Sequence, residues 1–382
     1  MKRLDPALLK TNVDAAAAYD LDRRKVFGSA YSVVQGDAVV YESCYGTTAA
    51  DSADPVTPRT LFRLASMTKP VTAMAALILV DRGLLRLSDL VSDYLPAFDG
   101  VRVTAVGEDG SLVDLGAAQS PITIRDLLTH TSGIGTEWAK PRLMTEEERI
   151  SVNKTVDFYA RVGLDFDPGT RQQYSGTAAF DVMVRIIEQV TGEDFLAFLK
   201  REIFDPCGMP DTTFIPNEEQ WGRLIRLHNR VEGENSDEPN RAGYVYSNWP
   251  CTRYVGGAGL VSTLRDFTNF ATMLLHRGAT PTGRIVRPET FDLLPVPYVP
   301  REIMPHNENW GLGVRVIVGE DYDLLPVGAY GWSGAHGTHF WIDPVNEVAA
   351  VMMKNSRVDG GSYNESACNF ERAVKAAILA DA

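Results

Sequence analysis

Leu61-Phe62-Arg63-Leu64-Ala65-Ser66-Met67-Thr68-Lys69-Pro70, with the apolar run Val71–Val80 behind it, is the stretch around which the chain is organised. Ser66 and Lys69 are three residues apart and share one face of a helix, so an amine would sit beside a hydroxyl as a base beside a nucleophile. Pro70 sets the register. Its missing N–H is harmless only in the first turn, which predicts a helix starting at about Ser66 or Met67. A serine there lies at the positive end of the helix dipole, among N–H groups suited to a developing oxyanion. The run Val71–Val80 is apolar on every face until Asp81-Arg82-Gly83, the pattern of a buried helix too short to span a bilayer. A second Ser-x-x-Lys, Ser151-Val152-Asn153-Lys154, follows the charged stretch Thr145–Arg149 and reads as solvated helix surface.

Composition bounds the rest. The chain has 382 residues, 45% hydrophobic and 23% charged, enough for a large core arranged in two lobes. A net charge of -13 and a pI of about 5.0 argue against nucleic acid or an anionic membrane as partner. After Met1-Lys2-Arg3 the polar residues Asp5, Lys10, Thr11 and Asn12 interrupt any signal-peptide core, so the expected location is cytoplasmic, unless a leader has been removed. Cys44, Cys207, Cys251 and Cys368 are scattered with no C-x-x-C pair, and the histidines form no H-E-x-x-H. His336 and His339 would point to opposite faces of a strand. Neither a metal nor a cofactor is expected, and the partner is a small-molecule substrate.

In chain order, Pro6 to Ala18 reads as an amphipathic helix with Leu8, Leu9 and Val13 on one side. Gly28–Val34 and Ala38–Tyr45, joined through Gly36-Asp37, read as a β-hairpin. From Ser66 to about Leu294 the signals are helical or loop-like: Ser88–Leu95, Thr123–Leu128 with Thr123 and Asp126 placed for capping, Asp181–Phe204 around Gly192, and Ser262 to about His276. Pro216–Asn248 is turn-rich. Strand signals return at Gly313–Val318, Thr338–Ile342 and Val348–Met353, and Glu365–Leu379 closes as a helix. Strand-forming segments at both ends with a helical middle suggest one discontinuous sheet domain, residues 1–65 and 295–382, and an inserted mostly helical lobe, residues 66–294, with the site in the cleft between.

Three stretches in order, Ser66-Met67-Thr68-Lys69, Tyr174-Ser175-Gly176 and Trp332-Ser333-Gly334, resemble the three motifs of the serine β-lactamase and penicillin-binding-protein superfamily. The pattern is closest to class C β-lactamases and the β-lactamase-like carboxylesterases of family VIII. Leu127–Gly133, Pro168-Gly169 and Ile203–Met209 add to the resemblance, which covers roughly Gly28 to Ala377. It implies an α+β fold of the β-lactamase/transpeptidase type, a five-stranded antiparallel sheet flanked by terminal helices plus an all-α lobe. It also implies that Ser66 attacks an acyl carbonyl while Lys69 and Tyr174 share the proton transfer, and that the backbone N–H groups of Ser66 and Ala335 form the oxyanion hole. Trp332, Ser333 and Gly334 would then bind substrate.

Two positions depart from the lactamase pattern. Gly176 stands where an asparagine is usual, and Trp332 where a lysine is usual. A cation at the latter position suits the carboxylate of β-lactams and D-Ala peptides, whereas an indole offers apolar area and one N–H donor. The resemblance therefore implies an esterase acting on uncharged carboxylic esters. The alternatives are a β-lactamase, a D-amino-acid peptidase or amidase, an acyltransferase with an alcohol acceptor, and a sensor that acylates without turnover. Gly331–Ala335 is a near miss to G-x-S-x-G, but the helix that must follow such a serine is replaced by strand signals, so Ser333 is not read as a nucleophile. His130 is read as a loop histidine bonded to backbone.

Overall fold

In a computed structural model describing residues 2–137, 139–231, 234–238 and 253–379, seven antiparallel strands form one sheet. From edge to edge they are Glu308–Trp310, Arg315–Ile317, Tyr330–Ser333, His339–Asp343, Val348–Lys354, Gly28–Gln35 and Ala38–Gly46. The N-terminal hairpin joins the late strands through the register Ser29↔Lys354 to Gln35↔Val348. The resemblance implies five strands. The two additional ones, Glu308–Trp310 and Tyr330–Ser333, are three and four residues long, too short for an alternating pattern to stand out.

Both faces of this sheet are covered, which is why its central strands read as continuous apolar runs. Along Val348–Lys354 the side chains divide by alternation. Val348, Ala350 and Met352 pack with Leu9 and Val13 of the helix Pro6–Asp22 and with Phe370 and Val374 of the helix Glu365–Ala377. Ala349, Val351 and Met353 pack instead with Phe267 and Phe270 of the helix Leu264–Leu275 and with the buried helix Thr68–Asp81. The first helix runs four residues beyond Ala18, and its buried stripe is Leu9, Val13 and Ala17. Leu8 is 40% exposed, since i, i+4 spacing from Leu9 leaves it off the stripe.

Trp341 anchors the helix-backed face, 1% exposed and edge-on to Phe370 at 5.0 Å. Trp341→Ala is expected to cost about 3–5 kcal/mol of stability, read as a lower urea midpoint at unchanged slope. A cost below about 1 kcal/mol would mean the two faces are not one cooperative unit.

The helical part follows its sequence signals with local differences. Thr123 and Asp126 form the expected reciprocal cap, Asp126 N to Thr123 Oγ1 at 3.2 Å and Thr123 N to Asp126 Oδ2 at 2.9 Å. The helix Ala178–Thr191 begins ahead of Asp181 and stops at Gly192, whose φ of 69° is the left-handed conformation glycine adopts without penalty. Only Val91–Tyr94 of the Ser88–Leu95 segment is helical. A hairpin, Arg102–Val106 with Leu112–Ala117, lies in the region expected to be helix and loop. In the turn-rich stretch, Glu218–Arg223 is helical and Leu227–Val231 pairs with Glu234–Glu238, while residues 239–248 lie outside the described residues. Among the described residues no helix is long and apolar enough to cross a membrane.

One short pairing positions the site. Leu61–Arg63 pairs with Val261–Thr263, and Leu64 N donates to Leu260 O at 2.9 Å. Asn355 clamps the same segment from the sheet side, accepting from Arg63 N at 2.9 Å and donating to Arg63 O at 3.0 Å. The chain is thus held from two directions before it turns into Ser66.

Candidate active site

Ala65, with φ of 47°, makes the sharp turn, a strained conformation for a residue with a Cβ. A 3₁₀ turn, Ala65–Met67, leads into the α-helix Thr68–Asp81, so Pro70 falls in the first turn as the sequence requires. Ser66 is 9% exposed and lies at the mouth of this turn. The expected pairing forms, with Lys69 Nζ 3.4 Å from Ser66 Oγ. The second Ser-x-x-Lys does not resemble it: Ser151 precedes a surface helix and Lys154 pairs with Glu147.

Lys69 is fully buried. Its Nζ donates to the carbonyls of Gly176 at 2.5 Å and Gly257 at 3.0 Å and lies over the rings of Tyr174 and Phe180 at 4.7 and 5.2 Å. Burial lowers its proton affinity, against the opposing pull of the Asp181 carboxylate, from 10.5 to about 7. A neutral amine with both N–H bonds on carbonyls has its lone pair left for the Ser66 hydroxyl. Gly257 permits this grip, because a Cβ there would lie 2.8 Å from Gly176 O and 3.1 Å from Lys69 Nζ. Gly176, at the position where the resemblance has an asparagine, joins this grip through its backbone carbonyl.

Tyr174 reaches the same place from the loop before the helix Ala178–Thr191. Its hydroxyl oxygen accepts from Trp332 Nε1 at 3.0 Å. The indole donor of the third motif is therefore engaged by the second. Trp310, which the sequence did not single out, stacks on Tyr174 at 5.7 Å and stands edge-on to Trp332 at 4.5 Å. His130 lies beneath, its Nδ1 accepting from Ser175 N at 3.1 Å, a backbone-bonded loop histidine whose proton affinity burial and then the charge of Lys69 push well down.

The third motif docks by close approach. A Cβ on Gly334 would lie 2.1 Å from Thr338 Oγ1 and 2.3 Å from Leu64 O, and Thr338 Oγ1 itself donates to Leu64 O at 2.9 Å. Only glycine lets this strand end touch the segment that carries Ser66. Ala335, just beyond, is exposed on the cleft, and among the described residues neither its N–H nor that of Ser66 is taken by a backbone carbonyl. Ser333 borders the cleft, yet its hydroxyl is bonded to His339 Nδ1 at 2.8 Å, with His339 Nε2 3.0 Å from Glu371 Oε1. Its side chain shares the face of its cross-strand partner His339, opposite Trp332.

Ser66, Gln172, Tyr174, Trp310, Trp332 and Ala335 line one cleft of about 540 Å³, and its lining among the described residues carries no charged side chain. Nor do the described residues hold a group of three or more His, Cys, Asp or Glu placed for a metal ion. The arrangement can activate a hydroxyl, receive an oxyanion on two N–H groups and seat an apolar, uncharged substrate against indole.

A family model described as Beta-lactamase matches residues 13–367. Esterase EstB of Burkholderia gladioli is 32% identical over 389 residues, covering 94% of this chain and 93% of that protein. Penicillin-binding protein 4 of Amycolatopsis lactamdurans is 30% identical over 338 residues, covering 87% of this chain and 81% of that protein. Among solved structures, EstCE1, described as a hydrolase with promiscuous acyltransferase activity, superposes with a TM-score of 0.82 at 22% identity, covering 97% of this chain and 99% of that one.

Proposed function

The chain belongs to the beta-lactamase family, and from that premise we propose that it is a serine carboxylesterase, cleaving uncharged esters through an acyl-enzyme on Ser66. The observation that carries this reading is the buried amine of Lys69, lowered to about 7 and 3.4 Å from Ser66 Oγ.

In this reading Ser66 Oγ attacks the ester carbonyl while its proton passes to the free amine of Lys69. The carbonyl oxygen becomes an oxyanion on the N–H groups of Ser66 and Ala335, and the helix start adds a favourable field. Collapse breaks the bond to the alcohol, which leaves with a proton returned from Lys69 through Tyr174. Water then attacks the acyl-serine, gives its proton to the same pair, and frees the acid and the Ser66 hydroxyl. In each step the bond that forms or breaks at the carbonyl carbon is coupled to proton transfer among Ser66, Lys69 and Tyr174.

The choice of ester over β-lactam rests on Trp332. Its indole is tied to Tyr174 where a cation would be needed to hold a substrate carboxylate. A charge-assisted bond contributes about 1.5–3 kcal/mol, so its absence is worth roughly ten- to a hundredfold in selectivity. In a panel of p-nitrophenyl esters of graded acyl length, run beside nitrocefin and a D-Ala amide, kcat/KM for the best ester should exceed that for nitrocefin by at least this factor. Equal turnover of nitrocefin would overturn the esterase assignment in favour of a lactamase.

A further inference from the structure

We infer that Asp181 and Arg253 are positioning residues for Lys69: together they hold the turn that grips the amine and set the charge it faces. This rests on the reading of Lys69 as the base. Asp181, in the first turn of the helix Ala178–Thr191, is wholly buried. One carboxylate oxygen accepts from Gly256 N at 3.1 Å and the other from Arg253 Nη1 at 2.7 Å, the guanidinium being 9% exposed. The carbonyl of Gly256 in turn accepts from Thr72 Oγ1 at 2.7 Å, close to Lys69 on the same helix. The next carbonyl, that of Gly257, takes the amine itself. A Cβ on Gly256 would lie 2.5 Å from Phe180 O, so the turn sits directly on the backbone beside Asp181.

A buried ion pair is an inefficient way to hold a fold together, since well-packed apolar residues of the same volume do as well or better. Its use here is accounted for by what it faces. Tyr174 and His130 approach Lys69 from their loops, with His130 held neutral. Asp181 approaches from the neighbouring helix, with Arg253 behind it. The helix Pro288–Phe291 packs on the same nucleophile helix, but there Arg287 and Thr290 engage Asp81 at the far end. Among the described residues the Asp181 carboxylate is thus the anion that favours the protonated amine, opposing the burial that favours the free base. Burial raises the proton affinity of Asp181 itself, and the charge and hydrogen bond of Arg253, with the Gly256 N–H, oppose that rise while offsetting part of the field at Lys69.

The test is the acid limb of the kcat/KM profile for p-nitrophenyl acetate, measured on the full chain together with fluorophosphonate labelling of Ser66. Asp181→Asn keeps an acceptor for Gly256 N and removes the negative charge, so the limb should move to lower pH by about one unit. Adding Arg253→Gln removes the cation that faced the carboxylate and should return part of that shift, and it gives a second variant to measure should the single one fold poorly. A purely structural pair would lower activity equally at every pH, with the limb unmoved and the double variant no better than the single. That result, with Ser66 still labelled, overturns this inference alone. Ester turnover persisting in Ser66→Ala would instead overturn the assignment beneath it.

Discussion

Ser66→Ala is expected to lower kcat for p-nitrophenyl esters by roughly 10⁴-fold or more, the scale seen when a serine nucleophile is removed while its binding site and oxyanion hole remain. The same change should abolish the pre-steady-state burst and all covalent labelling by a fluorophosphonate. The fold should be unaffected, since among the described residues Ser66 Oγ makes one long contact, to Lys69 at 3.4 Å, and the turn is held by Leu260 and Asn355 rather than by the hydroxyl. A variant that keeps its burst would place the nucleophile elsewhere. Ser333 is an unsuitable substitute, because its hydroxyl is engaged by His339 behind the sheet.

Lys69→Met is expected to be nearly as damaging, with a loss of about 10²–10⁴-fold, because it preserves volume and removes the proton acceptor. The wild-type profile supplies the sign. With Lys69 held at about 7, kcat/KM should rise about tenfold per pH unit below 7 and level off above it, as the amine loses its proton and becomes a base. Stability should follow the same direction. Because the folded-state value lies below 10.5, the unfolded chain binds more protons between about 7 and 10.5, and stability gains a contribution that rises with pH across that window. Both trends should vanish in Lys69→Met. A profile whose acid limb survives the substitution would assign the base to another group.

Much of this site is written in side chains close together in sequence. Ser66, Lys69 and Pro70 declare a helix start with an amine one turn along, and Tyr174 and Trp332 follow at motif positions; the structure brings Tyr174 and Trp332 into hydrogen-bond contact. What escaped the sequence reading has a physical pattern. Lys69 is gripped by two backbone carbonyls, and a carbonyl leaves no trace in residue identity; the signal was the glycine pair Gly256-Gly257, tolerable only where chains touch. Asp181 and Arg253 were invisible because a carboxylate early in a helix reads as a dipole partner whether it is solvated or buried. Trp310 sits on a three-residue edge strand with no periodicity to announce it. The extra strands of the sheet were missed for that same reason. Leu8 faces solvent rather than the side shared by Leu9 and Val13, because Leu9, Val13 and Ala17 already complete the buried stripe.

The pairing of Gly28–Gln35 with Val348–Lys354 has a consequence for biosynthesis. The segment bearing Ser66 leaves the ribosome well before the strand carrying Trp332, the loop with Ala335 and the Asn355 clamp on Arg63, with the whole helical middle made in between. Contacts so distant along the chain are slow to form, because loop-closure entropy is lost before they are made. Until those later strands arrive, the nascent polypeptide carries Ser66 without the neighbours that line its cleft or hold its turn from the sheet side.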